Sequence, residues 1–254
     1  MQDKPPIEKV KDTAHKAAQA ESAPAPVRRY RVILFQAILF IIAGAFGVLT
    51  FLVKTYPSFA IDLTITKTIQ QISYKPFSLL MNIVSWPGFD PQSIIITAVI
   101  ILIIYILGLH WEAVVALIAA VFSTAVNLLA KDLVARARPQ PDLVNVISTL
   151  KSYSFPSGHV MFYLCFFGFI LFLAFSLLKP SVKRSLILVL FGSLIVLVGI
   201  SRIYLGQHWP SDVLGAYLLG SLTLVAIITL YRWGKPRFFV HQPVAADNSK
   251  KPKT

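Results

Sequence analysis

The sequence predicts an all-α membrane protein: six transmembrane helices, with short amphipathic helices in the first outer loop. Three observations predict it. Of 254 residues, 56% are apolar and only 14% charged, with a mean hydropathy of +0.70, whereas an ordinary soluble domain is less apolar and more charged. The apolar residues arrive in runs of about 20, the length that crosses a hydrocarbon core of about 30 Å. The net charge of +13 is gathered in tails and loops that flank those runs, the pattern that orients a chain in a membrane, so no nucleic-acid partner is expected. A single cysteine, Cys165, excludes an intrachain disulfide and any Cys-rich zinc or iron–sulfur site.

Residues 1–31 are rich in Lys, Ala and Pro with few large apolar side chains, which predicts a disordered basic tail. The first apolar run begins only near Val32 and extends too far for a removed signal peptide. Spans are expected at about 32–53, 93–109, 112–130, 160–178, 185–201 and 212–231, making one domain over 32–233 followed by a basic tail over 234–254. Six spans put both termini on one side. That side carries sixteen Lys and Arg and the other eight, so both termini are expected to be cytoplasmic. In the loop from Lys54 to Pro91, Ile61, Ile65, Ile69 and Ile72, then Phe77, Leu80, Met81 and Val84, recur at helical spacing. Two amphipathic helices at the outer surface would either cap the bundle or admit a lipid substrate.

Three polar clusters fall at the outer ends of spans. In KDLVARARP, Lys131 and Arg138 are seven residues apart, about two turns, so they point the same way if the helix continues that far; Pro139 and Pro141 then mark its end. In FPSGH, Ser157 and Gly158 precede an apolar run, so that free backbone N–H groups, a hydroxyl and a close backbone approach make an anion seat with His159 beside it. In SRIYLGQHWPSD, Ser201 and Arg202 close span five, and Asp212 follows His208 by four residues. If Pro210 starts the next helix, the carboxylate can accept from one imidazole nitrogen and leave the other a lone-pair donor. Singly, each cluster has an ordinary structural account: snorkelling cations, a helix cap, a surface pair. Together on one face they form a phosphoryl-transfer set.

The pattern Lys131–x6–Arg138–Pro139, Pro156–Ser157–Gly158–His159, and Ser201–Arg202–x5–His208–x3–Asp212 resembles the three-part signature of the type 2 phosphatidic acid phosphatases, over about residues 32–233. The resemblance implies a membrane lipid phosphatase that uses no metal or other cofactor. His208 would be the nucleophile, Asp212 its orienting carboxylate and His159 the general acid and base. Lys131, Arg138, Ser157, Gly158 and Arg202 would bind the phosphoryl oxygens. The implied substrate is a mono- or diphosphate ester of a membrane lipid: phosphatidylglycerophosphate, phosphatidate or undecaprenyl diphosphate. Trp86, Tyr153, Phe155, Tyr204 and Trp209 would ring the site at the bilayer interface. A lipid-to-lipid phosphotransferase would use the same histidine, and a non-catalytic lipid-phosphate binding protein would need only the cations. Oligomeric state is not legible.

Overall fold

In the computed structural model the described residues are 25–56, 59–147, 150 and 152–238. The expected tails therefore lie outside them except at their inner ends, residues 25–31 and 234–238, which are helical rather than disordered. Adding a residue to an existing helix fixes far fewer dihedrals than nucleating one, so the apolar runs carry their helices into polar flanks.

The chain divides into two units, residues 1–44 and 45–254. The described part of the first is the opening of α1 (Ala25–Thr55), an unbroken helix that starts with Pro26 in its first turn, where a missing N–H costs little. The second unit holds the end of α1 and α2 (Ala60–Gln70), α3 (Lys75–Ser85), α4 (Gln92–Ile106), α5 (His110–Val134), α6 (Gly158–Leu177), α7 (Val182–Tyr204) and α8 (Pro210–Phe238). α1, α5, α6, α7 and α8 are long and apolar enough to cross a membrane. The expected second span is α4, whose 15 residues reach only about 22 Å. It makes a sixth crossing only when joined to α3 and the turn Trp86–Gly88, against which it is bent by 65°. Pro91 stands in that break and Pro87 in the turn that leads into it, and neither favours a continuous helix there.

Helices occur at both places where amphipathic stretches were expected. α2 turns Ile61 and Ile65 outward and buries Asp62 and Thr66. α3 packs on α7 through Met81 and Val84, and Ser201 of α7 donates to the Met81 carbonyl at 2.6 Å. The core is centred on α6, which packs on α5, α7 and α8 and buries Tyr163, Phe166, Phe167 and Phe169. Its residues Tyr163–Phe167 form a π-helical turn, an insertion that rotates the following side chains and is common beside functional sites. At the other end of α5, buried Glu112 accepts from Tyr231 Oη at 2.9 Å and pairs with Lys235, tying α5 to α8.

Candidate active site

α5 stops at Val134, earlier than the two-turn geometry required, because Ala135 adopts a left-handed conformation (φ 54°, ψ 37°) and its N–H closes on the Lys131 carbonyl at 2.8 Å. Lys131 and Arg138 therefore meet through a turned chain and not along one helix face. Both donate to the Tyr153 carbonyl, Lys131 through Nζ and Arg138 through Nη2 at 3.2 Å. Arg138 also donates to the Ser152 carbonyl (2.7 Å), Ser152 Oγ (2.9 Å) and the Gln207 carbonyl (2.6 Å).

For Lys131, Arg202, Ser157, His208 and Asp212 the structural accounts open in the sequence fail in the fold. Lys131 and Arg202 are 5% and 0% exposed, so neither snorkels. Ser157 occupies the cap position of α6, yet its hydroxyl caps no helix N–H and, fully buried, makes no hydrogen bond within the protein. His208 and Asp212 are 2% and 0% exposed, no surface pair. Gly158 opens α6 with Asn127 Oδ1 3.1 Å from where a Cβ would stand, so the backbone is approached closely there.

α8 begins at Pro210, as the histidine–aspartate spacing required. Asp212 Oδ2 reaches back to the Trp209 N–H at 2.8 Å, the carboxylate half of a capping box. The same oxygen accepts from Ser154 Oγ at 2.5 Å, and Oδ1 from Arg136 Nη1 at 2.6 Å. With those donors in place His208 Nδ1 stands 3.5 Å from Oδ2, within ion-pair reach but longer than a good hydrogen bond. On the opposite edge of the ring, Nε2 is 3.2 Å from Arg138 Nη1. A guanidinium can only donate, so Nε2 presents its lone pair and the imidazole proton belongs on Nδ1, toward the carboxylate. Burial first, then the positive charges of Arg138, Lys131 and Arg202, hold the His208 pKa well below its ordinary value and keep the ring neutral.

Arg202 donates from Nη1 to Ser85 Oγ at 2.6 Å, while its Nε and Nη2, both buried, donate to no protein group. Its guanidinium lies over the Phe89 ring at 5.1 Å, and the His159 ring meets Phe89 edge-on at 4.7 Å. His159 Nε2 is buried without a partner. A cleft of ≈ 190 Å³ opens beside Arg138. Among the described residues, no three His, Cys, Asp or Glu side chains stand together to hold a metal ion.

Two of the five aromatic residues expected at the interface are core: Phe155 (0% exposed) packs with Val53 and Val134, and Trp209 is 4% exposed. Trp86 and Tyr153 are exposed. Sequence reasoning missed Asp62, Ser85, Gly88, Phe89, Arg136 and Ser154. Asp62 offered a faint signal, being a lone charge among apolar neighbours.

The sequence model of the PAP2 superfamily matches residues 109–236. Phosphatidylglycerophosphatase B of Bacillus subtilis is 36% identical over 113 residues, 44% of this chain and 54% of that protein. Undecaprenyl-diphosphatase of Sulfolobus acidocaldarius is 36% identical over 108 residues, 41% of this chain and 48% of that protein. The chain spans about half the length of the curated relatives it matches. Among solved structures, the transmembrane PAP2-type phosphatidylglycerolphosphate phosphatase of Bacillus subtilis superimposes with a TM-score of 0.67 at 25% identity, over 77% of this chain and 96% of that one. Aquifex aeolicus LpxE shares the fold, with a TM-score of 0.52 at 21% identity over 68% of this chain and 98% of that one. Half the chain matches the family's sequence model, and the three clusters that carry its signature converge around one neutral histidine: the chain belongs to the PAP2 superfamily.

Proposed function

We propose that the protein is a membrane lipid phosphatase that hydrolyses a phosphate mono- or diphosphate ester through a phosphohistidine on His208. One observation carries this: Ser157 Oγ and Arg202 Nε and Nη2 are buried donors with no protein acceptor, and Arg202 acts electrostatically on His208. Buried donors without acceptors are costly unless an anionic ligand satisfies them, and tetrahedral phosphate offers the oxygens.

In the first step His208 Nε2 uses its lone pair to form a bond to phosphorus. The bond to the leaving oxygen breaks, and that oxygen takes a proton from His159. Asp212 balances the positive charge that develops on the imidazole. Lys131, Arg138 and Arg202, with Ser157 and the Gly158 N–H, stabilise the equatorial oxygens and supply the charge that a metal would otherwise bring. In the second step water attacks phosphorus, His159 takes its proton, and the P–N electron pair returns to Nε2.

The excess of Lys and Arg at both termini supports a cytoplasmic position for them and an extracytoplasmic position for the site. A lipid phosphate in that leaflet needs only lateral movement to arrive. The two curated relatives are named for phosphatidylglycerophosphate and undecaprenyl diphosphate, and with phosphatidate these form the panel to test. Phosphate release by detergent-purified protein, abolished in His208→Ala, is the expected result. Full release by folded His208→Ala would place the nucleophile elsewhere.

A further inference from the structure

Asp62 and Arg136 touch no reacting atom in this scheme, yet both are buried, at 1% and 3% exposure. Arg136 Nη2 donates to Asp62 Oδ2 at 2.9 Å, and its Nη1 donates to Asp212 Oδ1 at 2.6 Å and to Ser211 Oγ at 2.7 Å. Asp62 also accepts from the Ser211 N–H at 2.9 Å and from Ser211 Oγ at 2.5 Å, which pins the first turn of α8 to α2. A guanidinium fork clamped between two carboxylates allows Asp212 little freedom to rotate.

Resting on the assignment of His208 as nucleophile, we infer that Asp62 and Arg136 are positioning residues: together they fix the Asp212 carboxylate against His208 and set how much of its negative charge the imidazole feels. Asp62, Arg136 and Asp212 sum to a single negative charge on the Nδ1 side of His208. The other charged groups acting on this ring are Lys131, Arg138 and Arg202, beside a backbone hydrogen bond with Ser154, with His159 interacting as well. As Nε2 bonds to phosphorus the ring becomes cationic, so the charge behind Nδ1 bears directly on the barrier. Asp62 matters because it takes up part of the Arg136 charge that would otherwise offset Asp212.

The charge count gives a test with opposite signs. Asp62→Asn makes the trio neutral, Arg136→Met leaves it doubly negative, and the double variant restores a single negative charge without the clamp. Phosphate release from phosphatidate is measured from pH 4 to 9 with the full-length chain in detergent, alongside Arg136→Lys and His208→Ala. The expected result is a kcat at least about tenfold lower in every Asp62 and Arg136 variant, with KM changed less than about twofold. The acid limb of kcat/KM should move down by about one pH unit in Asp62→Asn, up by a similar amount in Arg136→Met, and back to the wild-type position in the double variant. Arg136→Lys should leave the limb in place and lower kcat only, because it keeps the charge and loses the fork. Substrate ionisation is common to all variants and cancels. The double variant matches the wild-type charge and leaves Asp212 hydrogen-bonded to Ser154 Oγ and the Trp209 N–H, so it remains informative should a single variant not fold. Wild-type kcat in the double variant, or limbs that move the same way or not at all in folded single variants, would overturn the inference. Wild-type release that survives His208→Ala would instead overturn the nucleophile assignment, and this inference with it.

Discussion

Gly88 lies against the group assigned as general acid, so adding one methyl there should impair a single chemical step. An ideal Cβ at residue 88 would stand 2.3 Å from His159 Cδ2 and 2.9 Å from its Nε2. Carbon atoms pack at about 3.5 Å, so in Gly88→Ala the imidazole must retreat by about 1 Å. A displacement of that size costs on the order of 100-fold in rate, at the lower end of what general acid catalysis supplies. The alkoxide of a lipid phosphomonoester needs a proton to depart; p-nitrophenolate does not. The assay is therefore kcat/KM for phosphatidate and for p-nitrophenyl phosphate, a parameter that stops at formation of the phosphohistidine and leaves out its hydrolysis. Gly88→Ala should lose about 100-fold on the lipid and little on the aryl ester. Equal losses on both esters would show that the methyl disturbs phosphate binding and not proton delivery. A lipid rate within threefold of wild type would show that His159 is not the acid.

Vanadate should inhibit in competition with substrate, because its five-coordinate adduct on His208 resembles the transferring phosphoryl group. EDTA should leave phosphate release intact, and loss of activity on chelation would refute the assignment of charge stabilisation to Lys131, Arg138 and Arg202. His208 binds its proton less readily in the folded protein than the ordinary value of 6.5, so below that pH the unfolded chain takes up more protons and stability falls as pH drops. The thermal midpoint in detergent should decline below pH 6.5 less steeply in His208→Gln than in wild type, and parallel declines would count against a buried neutral imidazole. At the far end of the bundle Glu112→Gln should cost about 1–2 kcal/mol, limited because Lys235 keeps contact with solvent, and leave kcat unchanged; a fall in kcat matching the loss of stability would link the two ends.

The membrane class and the three clusters were legible because both are local in sequence: one is a matter of run length, the other of fixed spacings. The second span was not, because residues 93–109 carry no charge and composition does not say whether a run crosses the bilayer alone or as half of a broken helix. The signal lay just upstream, in Pro87, Gly88 and Pro91. Asp62 was hidden for a different reason. It sits on α2 among isoleucines that face outward, and its partners Arg136 and Ser211 are 74 and 149 residues away. Phe155 and Trp209 show the limit of reading by residue type, since an aromatic side chain beside a span end suits a membrane interface and a packed core equally well.

Arg136 and Arg138 stand two residues apart, and their partners give them opposite work. Arg136 is held between two carboxylates, Asp62 at 2.9 Å and Asp212 at 2.6 Å, so its charge is spent within the protein. Arg138 donates to the neutral carbonyls of Ser152, Tyr153 and Gln207 and to the Ser152 hydroxyl. Lys131 donates to the Tyr153 carbonyl and Arg202 to the Ser85 hydroxyl. Neutral acceptors fix the geometry of these cations without cancelling their charge. A site that must stabilise negative charge as it develops needs preorganised positive charge and cannot also pair each cation with a carboxylate. The segment from Ser152 to Ser157 therefore does two things. Its carbonyls hold two of the cations in place, and Ser154 steadies Asp212 on the other side of His208 at 2.5 Å. An acidic residue introduced at Ser152, beside Arg138, would neutralise the one cation whose Nη1 lies 3.2 Å from Nε2. Phosphate affinity would then fall although every residue of the three clusters was still present.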